Sequence, residues 1–77
     1  MNIYRITMPD SVANKVIYYL KDTDIQFDQL YYYYHHTNSR ELVFQTYIHC
    51  TEEDLTALLL SIPDITYRIT SHIHNTR

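Results

Sequence analysis

Residues 2–8 alternate, with Tyr4, Ile6 and Met8 set against Arg5 and Thr7, and this period of two predicts a half-buried strand. Pro9-Asp10-Ser11 interrupts the pattern, and Val12, Ala13, Val16, Ile17 and Leu20 then recur at helical spacing. The spacing predicts a helix capped by Asp10 or Ser11, flanked by Tyr19 and ending near Asp22. From Ile25 to Thr37 the chain is rich in β-branched and aromatic residues, and a second such run extends from Glu41 to Cys50. The polar turn Thr37-Asn38-Ser39 lies between them at hairpin distance, with Asn38 standing in for a turn glycine because it tolerates positive φ. Thr51 reads as the cap of a second helix. Glu52, Glu53 and Asp54 fill its first turn, Leu55, Leu58, Leu59 and Ile62 form its apolar stripe, and Pro63 ends it. Alternation then returns over Ile65 to Ile73, with Ile65, Tyr67, Ile69 and Ile73 opposite Thr66, Arg68, Thr70 and His72.

The predicted order is βαββαβ over one domain, residues 1–77. Two right-handed split crossovers then give an α+β, ferredoxin-like sandwich: an antiparallel sheet in the order 4-1-3-2 with both helices on one face. One sheet face stays uncovered. Alternation assigns to it Arg5, Thr7, Val43, Gln45, Tyr47, His49, Arg68, Thr70 and His72. Strand 2 is aromatic on both faces, with Tyr31 and Tyr33 on one and Tyr32 and Tyr34 on the other; a slip of one residue exchanges them.

Composition narrows the functional classes. There is no Gly, where about five would be average for this length, and there are nine Tyr. Without Gly there is no P-loop and no dinucleotide fingerprint. A net charge of −3 argues against a non-specific nucleic-acid surface, so nucleic acid is not the expected partner. The single Cys50 excludes an intramolecular disulfide and any CxxC motif. No basic leader or long apolar run is present, and a cytoplasmic protein without membrane association is expected. No Ser-His-acid elbow, Cys-His signature or paired carboxylates point to catalysis, so no enzyme activity and no cofactor are expected. The five histidines have no carboxylate or thiol at ligand spacing, so no metal site is expected either; their protonation near pH 6 would make the chain more positive.

The stretch PDSVANKVIYYLKDTDIQFDQL resembles the first half of an ACT domain: a strand and turn, a helix opening V-A-x-x-V, then an I-x-F entry into strand 2. The second half, with its capped helix and Pro63-Asp64-Ile65 before the last strand, fits the same pattern. The resemblance covers nearly the whole chain and implies a stand-alone regulatory subunit. It also implies an amino-acid site where the loop Met8, Asp10, Ser11 and Val12 of one copy meets Gln29 and Tyr31 of another. Two positions depart from the pattern. Ser11 stands where that family usually has a Gly that lets a ligand approach, and Asp24 replaces a second Gly but can adopt the left-handed conformation.

The Tyr run supplies a further expectation. An edge strand carrying Tyr31, Tyr32, Tyr33 and Tyr34 without Pro is what a monomer avoids, so strand 2 is expected to pair with its copy in a homodimer. The expected role is a small regulatory module that modulates a protein partner. The rival reading is an inhibitor or adaptor, of the kind a phage encodes, that binds a host protein or nucleic acid through the uncovered face with Arg5, Tyr47 and Arg68.

Overall fold

The computed structural model describes the backbone of residues 1–34 and 42–72, and the side chains of these residues except 32–34 and 71–72. The expectations placed on the Thr37-Asn38-Ser39 turn, on His35, His36, Ile73 and His74, and on the side chains of Tyr32, Tyr33, Tyr34 and His72, lie outside that description.

Seven elements follow one another: β1 (Asn2–Pro9), α1 (Asp10–Asp22), β2 (Gln26–Phe27), β3 (Tyr31–Tyr34), β4 (Leu42–Cys50), α2 (Glu52–Ser61) and β5 (Thr66–His72). The chain is α+β, with an antiparallel open sheet and two helices. Its strands lie in the order β2-β4-β1-β5, with β3 also paired to β4. If β2 and β3 are counted as one interrupted strand, the order is 2-3-1-4 from one edge and 4-1-3-2 from the other.

The apolar faces explain the layering. Tyr4, Ile6 and Met8 on β1 and Ile48 and Cys50 on β4 are buried in one cluster with Val12, Ala13, Val16 and Leu20 of α1 and Leu55 and Leu58 of α2. A single cluster drawing on both helices and on alternate strand residues places both helices on the same side of the sheet. Tyr19, Phe27, Phe44 and Leu59 pack at its margin. Ile62 and Ile65 close it where the chain leaves α2, around Pro63.

The helix starts differ from each other. Thr51 caps α2 through a reciprocal box, its hydroxyl accepting from the Asp54 N–H while the Asp54 carboxylate accepts from the Thr51 N–H. At α1 the expected Asp10 or Ser11 cap does not form. β1 continues to Pro9, which pairs with Val43 and is itself the N-cap, and no side chain caps the helix. Pro9 at φ −70° leads straight from strand into helix, so Asp10 becomes the first helical residue, its charge placed favourably at the positive end of the helix. At the other end, Thr23 donates its hydroxyl to the Tyr19 carbonyl, and Asp24 takes φ 60° in place of a glycine.

The continuous strand expected over Ile25 to Thr37 is two short strands. Phe27 pairs with Ile48 and Tyr31 with Gln45, so three residues, 28–30, face only two of β4. This is a bulge, and a hydroxyl on the neighbouring strand holds it. Buried Thr46 donates to the Asp28 carbonyl at 2.8 Å, with the Gln29 carbonyl 3.4 Å away, while the Asp28 N–H donates to the Tyr47 carbonyl. A second irregularity lies at the opposite edge. Tyr4 pairs with Ile69 but Ile3 pairs with Ser71, which leaves Thr70 unpaired and its hydroxyl donating to the Ile3 carbonyl. His72 therefore sits in register with Asn2, and the simple alternation that grouped it with Arg68 stops at Thr70.

Candidate interaction surface

The strand registers define the uncovered face row by row. Thr66, Thr7, Gln45 and Tyr31 form one transverse row, and Arg68, Arg5 and Tyr47 form the next. Beyond them Ile3 and His49 pair, with Gln26 continuing that row at the edge. All point away from the core because their neighbours along each strand, Tyr4, Ile6, Thr46 and Ile48, are buried beneath the helices.

The bulge decides which face Tyr31 takes. Phe27 shares the helix side with Ile48, and in an unbroken strand Tyr31 would follow it there. The extra residue reverses the phase, so Tyr31 pairs with Gln45 on the uncovered face and is 50% exposed. Positions 32, 33 and 34 pair with Phe44, Val43 and Leu42.

At the centre of this face Arg5 and Arg68 are direct cross-strand partners. Like charges placed opposite one another repel and need a reason. Among the described residues no carboxylate forms an ion pair with either; the one described pair is His49 with Asp28, whose side chains approach to 3.7 Å on the edge side of β4. Tyr47, half-buried, flanks Arg5 on the other side. The result is two arginines at adjacent positions with an aromatic neighbour, in a row next to that of Thr7, Thr66 and Gln45. Such a surface presents fork-shaped donors to planar anionic groups.

The residues implied by the family resemblance are not all at a surface. Met8 and Val12 are buried beneath the helices and present nothing to solvent, whereas Asp10, Ser11, Gln29 and Tyr31 are exposed or half exposed. Within one chain β4 lies between the start of α1 and the 28–30 bulge, so Asp10 and Ser11 belong to one place and Gln29 and Tyr31 to another. The interface residues Arg5, Tyr47 and Arg68 are brought together in a single row.

Sequence reasoning missed a second exposed region, on the helix side. Tyr67 and Ile69, expected to be core, are 53% and 45% exposed, because β5 is the last strand and α2 covers it only in part. Leu60 on α2 is 79% exposed and lies along the same groove. The signal in the sequence was the surplus of leucines over the stripe: Leu55, Leu58 and Ile62 suffice for the core, Leu59 packs at its margin, and Leu60 is left over.

Cys50 carries no such opening. It is buried, and burial first, then the negative charge of Asp54, pushes its thiol from 9.0 up to about 11. The unfolded chain loses this proton at lower pH than the folded one. The contribution to stability is thus intact below about pH 9 and is lost as pH rises toward 11. At mildly alkaline pH a disulfide-exchange reagent should leave native Cys50 unlabelled and modify it fully in denaturant; rapid labelling of the native protein would contradict this burial.

Among the described residues no group of three metal-ligating side chains converges, and no helix is long and apolar enough to cross a membrane. Compared with protein-family models, curated proteins and solved structures, the chain matches none.

Proposed function

We propose that this chain is a small non-catalytic interaction module, ferredoxin-like in topology, that binds an acidic protein partner through its uncovered sheet face. The observation that carries this reading is the Arg5–Arg68 cross-strand pair, set beside Tyr47 and lacking a described carboxylate. Two arginines opposite each other on neighbouring strands place like charges on adjacent positions, and a bound carboxylate offsets that repulsion. Arg and Tyr are also the side-chain types that dominate protein interfaces. A net charge of −3 gives no long-range attraction to a polyanion of any kind, so the arginine row acts at short range, on individual carboxylates. Self-association along the edge formed by β3, where Tyr31 is half exposed, belongs to the same reading. It leaves the arginine row free and presents two copies of it on one continuous sheet.

A titration of isotope-labelled protein with a deca-glutamate peptide tests the surface. Amide shifts should concentrate at Arg5, Tyr47 and Arg68, and the Arg5→Ala, Arg68→Ala double variant should lose them while staying folded and dimeric. Shifts confined to the helices, an unchanged response in the double variant, or tighter binding to a single-stranded RNA oligonucleotide would each overturn the acidic-protein reading. A sedimentation run at tens of micromolar giving only a 9.3 kDa species would overturn the self-association.

A further inference from the structure

The groove between α2 and β5 lies on the opposite side of the sheet from the arginine row and is independent of it. Leu59 and Leu60 from α2 and Tyr67 and Ile69 from β5 line its sides, with Tyr4 and Leu55 at its base, and it encloses about 720 Å³. Three of the large apolar residues most exposed among those described, Leu60, Tyr67 and Ile69, thus share one concavity. Exposed apolar residues gathered in one concavity, rather than scattered singly, are the kind of surface from which interaction sites are built.

Two further observations indicate what fits there. First, β5 is an edge strand, so every second residue along Thr66–Ile69 turns its backbone N–H and C=O away from β1, toward open solvent. Second, one end of the groove is acidic. Glu52 and Glu53 line it beside Asn2, and neither carboxylate has a described ion pair or capping role, since the capping box uses Asp54. Asn2 pairs with His72, so this acidic end adjoins the C-terminal end of β5.

From these we infer that the α2–β5 groove binds an extended peptide segment that adds to the β5 edge, inserts alternate aliphatic side chains between Leu60 and Ile69, and carries basic residues at its N-terminal end. Antiparallel addition brings that N-terminal end to Glu52 and Glu53. Alternation in the guest supplies one face for the groove and one for solvent. A second copy of β5 is a poorer occupant, because among its described side chains the one cation, Arg68, lies on the other face, opposite Arg5.

The probe is an acetylated, amidated peptide of two lysines followed by alternating threonine and valine, titrated into the labelled full chain. Amide shifts should centre on Tyr67, Ile69 and Leu60 and leave Arg5 and Tyr47 unmoved. Replacing the lysines by glutamates should weaken binding roughly fivefold, the scale of one or two exposed ion pairs. The Glu52→Gln, Glu53→Gln variant should bind both peptides equally, and Leu60→Ser, at an exposed site that does not endanger folding, should weaken both. Equal affinity of the two peptides for the unaltered chain, shifts confined to the arginine row, or concentration-dependent shifts at Tyr67 and Ile69 without peptide, which would identify a second copy as the occupant, each overturn the proposal. Its failure leaves the arginine face untouched, since the two tests read different residues.

Discussion

Ile6→Ala lowers the thermal midpoint, followed by far-ultraviolet circular dichroism, by about eight degrees or more. Ile6 is fully buried on the central strand pair, opposite Thr46 on β4 and Tyr67 on β5, and belongs to the cluster that joins both helices to the sheet. Truncating such a residue costs about 2–5 kcal/mol through lost transfer energy and the cavity left behind. In a domain of this length each kcal/mol moves the midpoint by roughly 4–8 °C. A chain of 77 residues has little stability to lose, because small domains bury a smaller share of their surface. The variant is therefore expected to be partly unfolded at 37 °C. A midpoint within three degrees of the parent would show that the cluster does not carry the fold.

Thr46→Val acts by another route and changes the shape of an edge rather than the volume of the core. The hydroxyl of Thr46 is the donor that holds the Asp28 carbonyl inside the bulge. Valine fills the same space and leaves that carbonyl without its partner, at a cost of about 1–3 kcal/mol. Amide hydrogen exchange over β2 and β3 should accelerate by about tenfold or more, while exchange in β1 and α1 follows the smaller global change. If the strand then re-pairs without the extra residue, Tyr31 turns to the helix side and the uncovered face loses its exposed tyrosine. Unchanged exchange over 26–34 would mean that the Asp28 N–H bond to Tyr47 holds the bulge alone.

These two residues also mark how far the sequence could be read. Ile6 was legible because a period of two in β1 and a period of 3.6 in α1 each bury one face whatever their neighbours do. The break at 28–30 was not legible. It depends on a hydroxyl 18 residues away in sequence, and nothing in the run Ile25 to Thr37 announces it. The exposure of Tyr67 and Ile69 was hidden for a similar reason. Alternation gives the face a residue takes, but only the path of α2 decides whether that face is covered. The missing cap on α1 has a local cause: once β1 pairs through to Pro9, no loop remains in which Asp10 or Ser11 might act as cap. The row of Arg5, Tyr47 and Arg68 was legible because it needed only the strand order and the alternation.

The two strand irregularities, one at each edge of the sheet, have a joint effect on how the protein behaves in bulk. Among the described residues, the ladder runs without interruption over Tyr31–Tyr34 on one edge and Thr66–Ile69 on the other. Cross-β growth favours a flat, unbroken template, and each described edge is broken by its irregularity. A glycine-free, tyrosine-rich chain with two open edges would otherwise be a strong candidate for fibrillar precipitation. In this molecule Thr46 and Thr70 each spend one hydroxyl on a carbonyl beside such an irregularity, and so interrupt the flat run of the described edges.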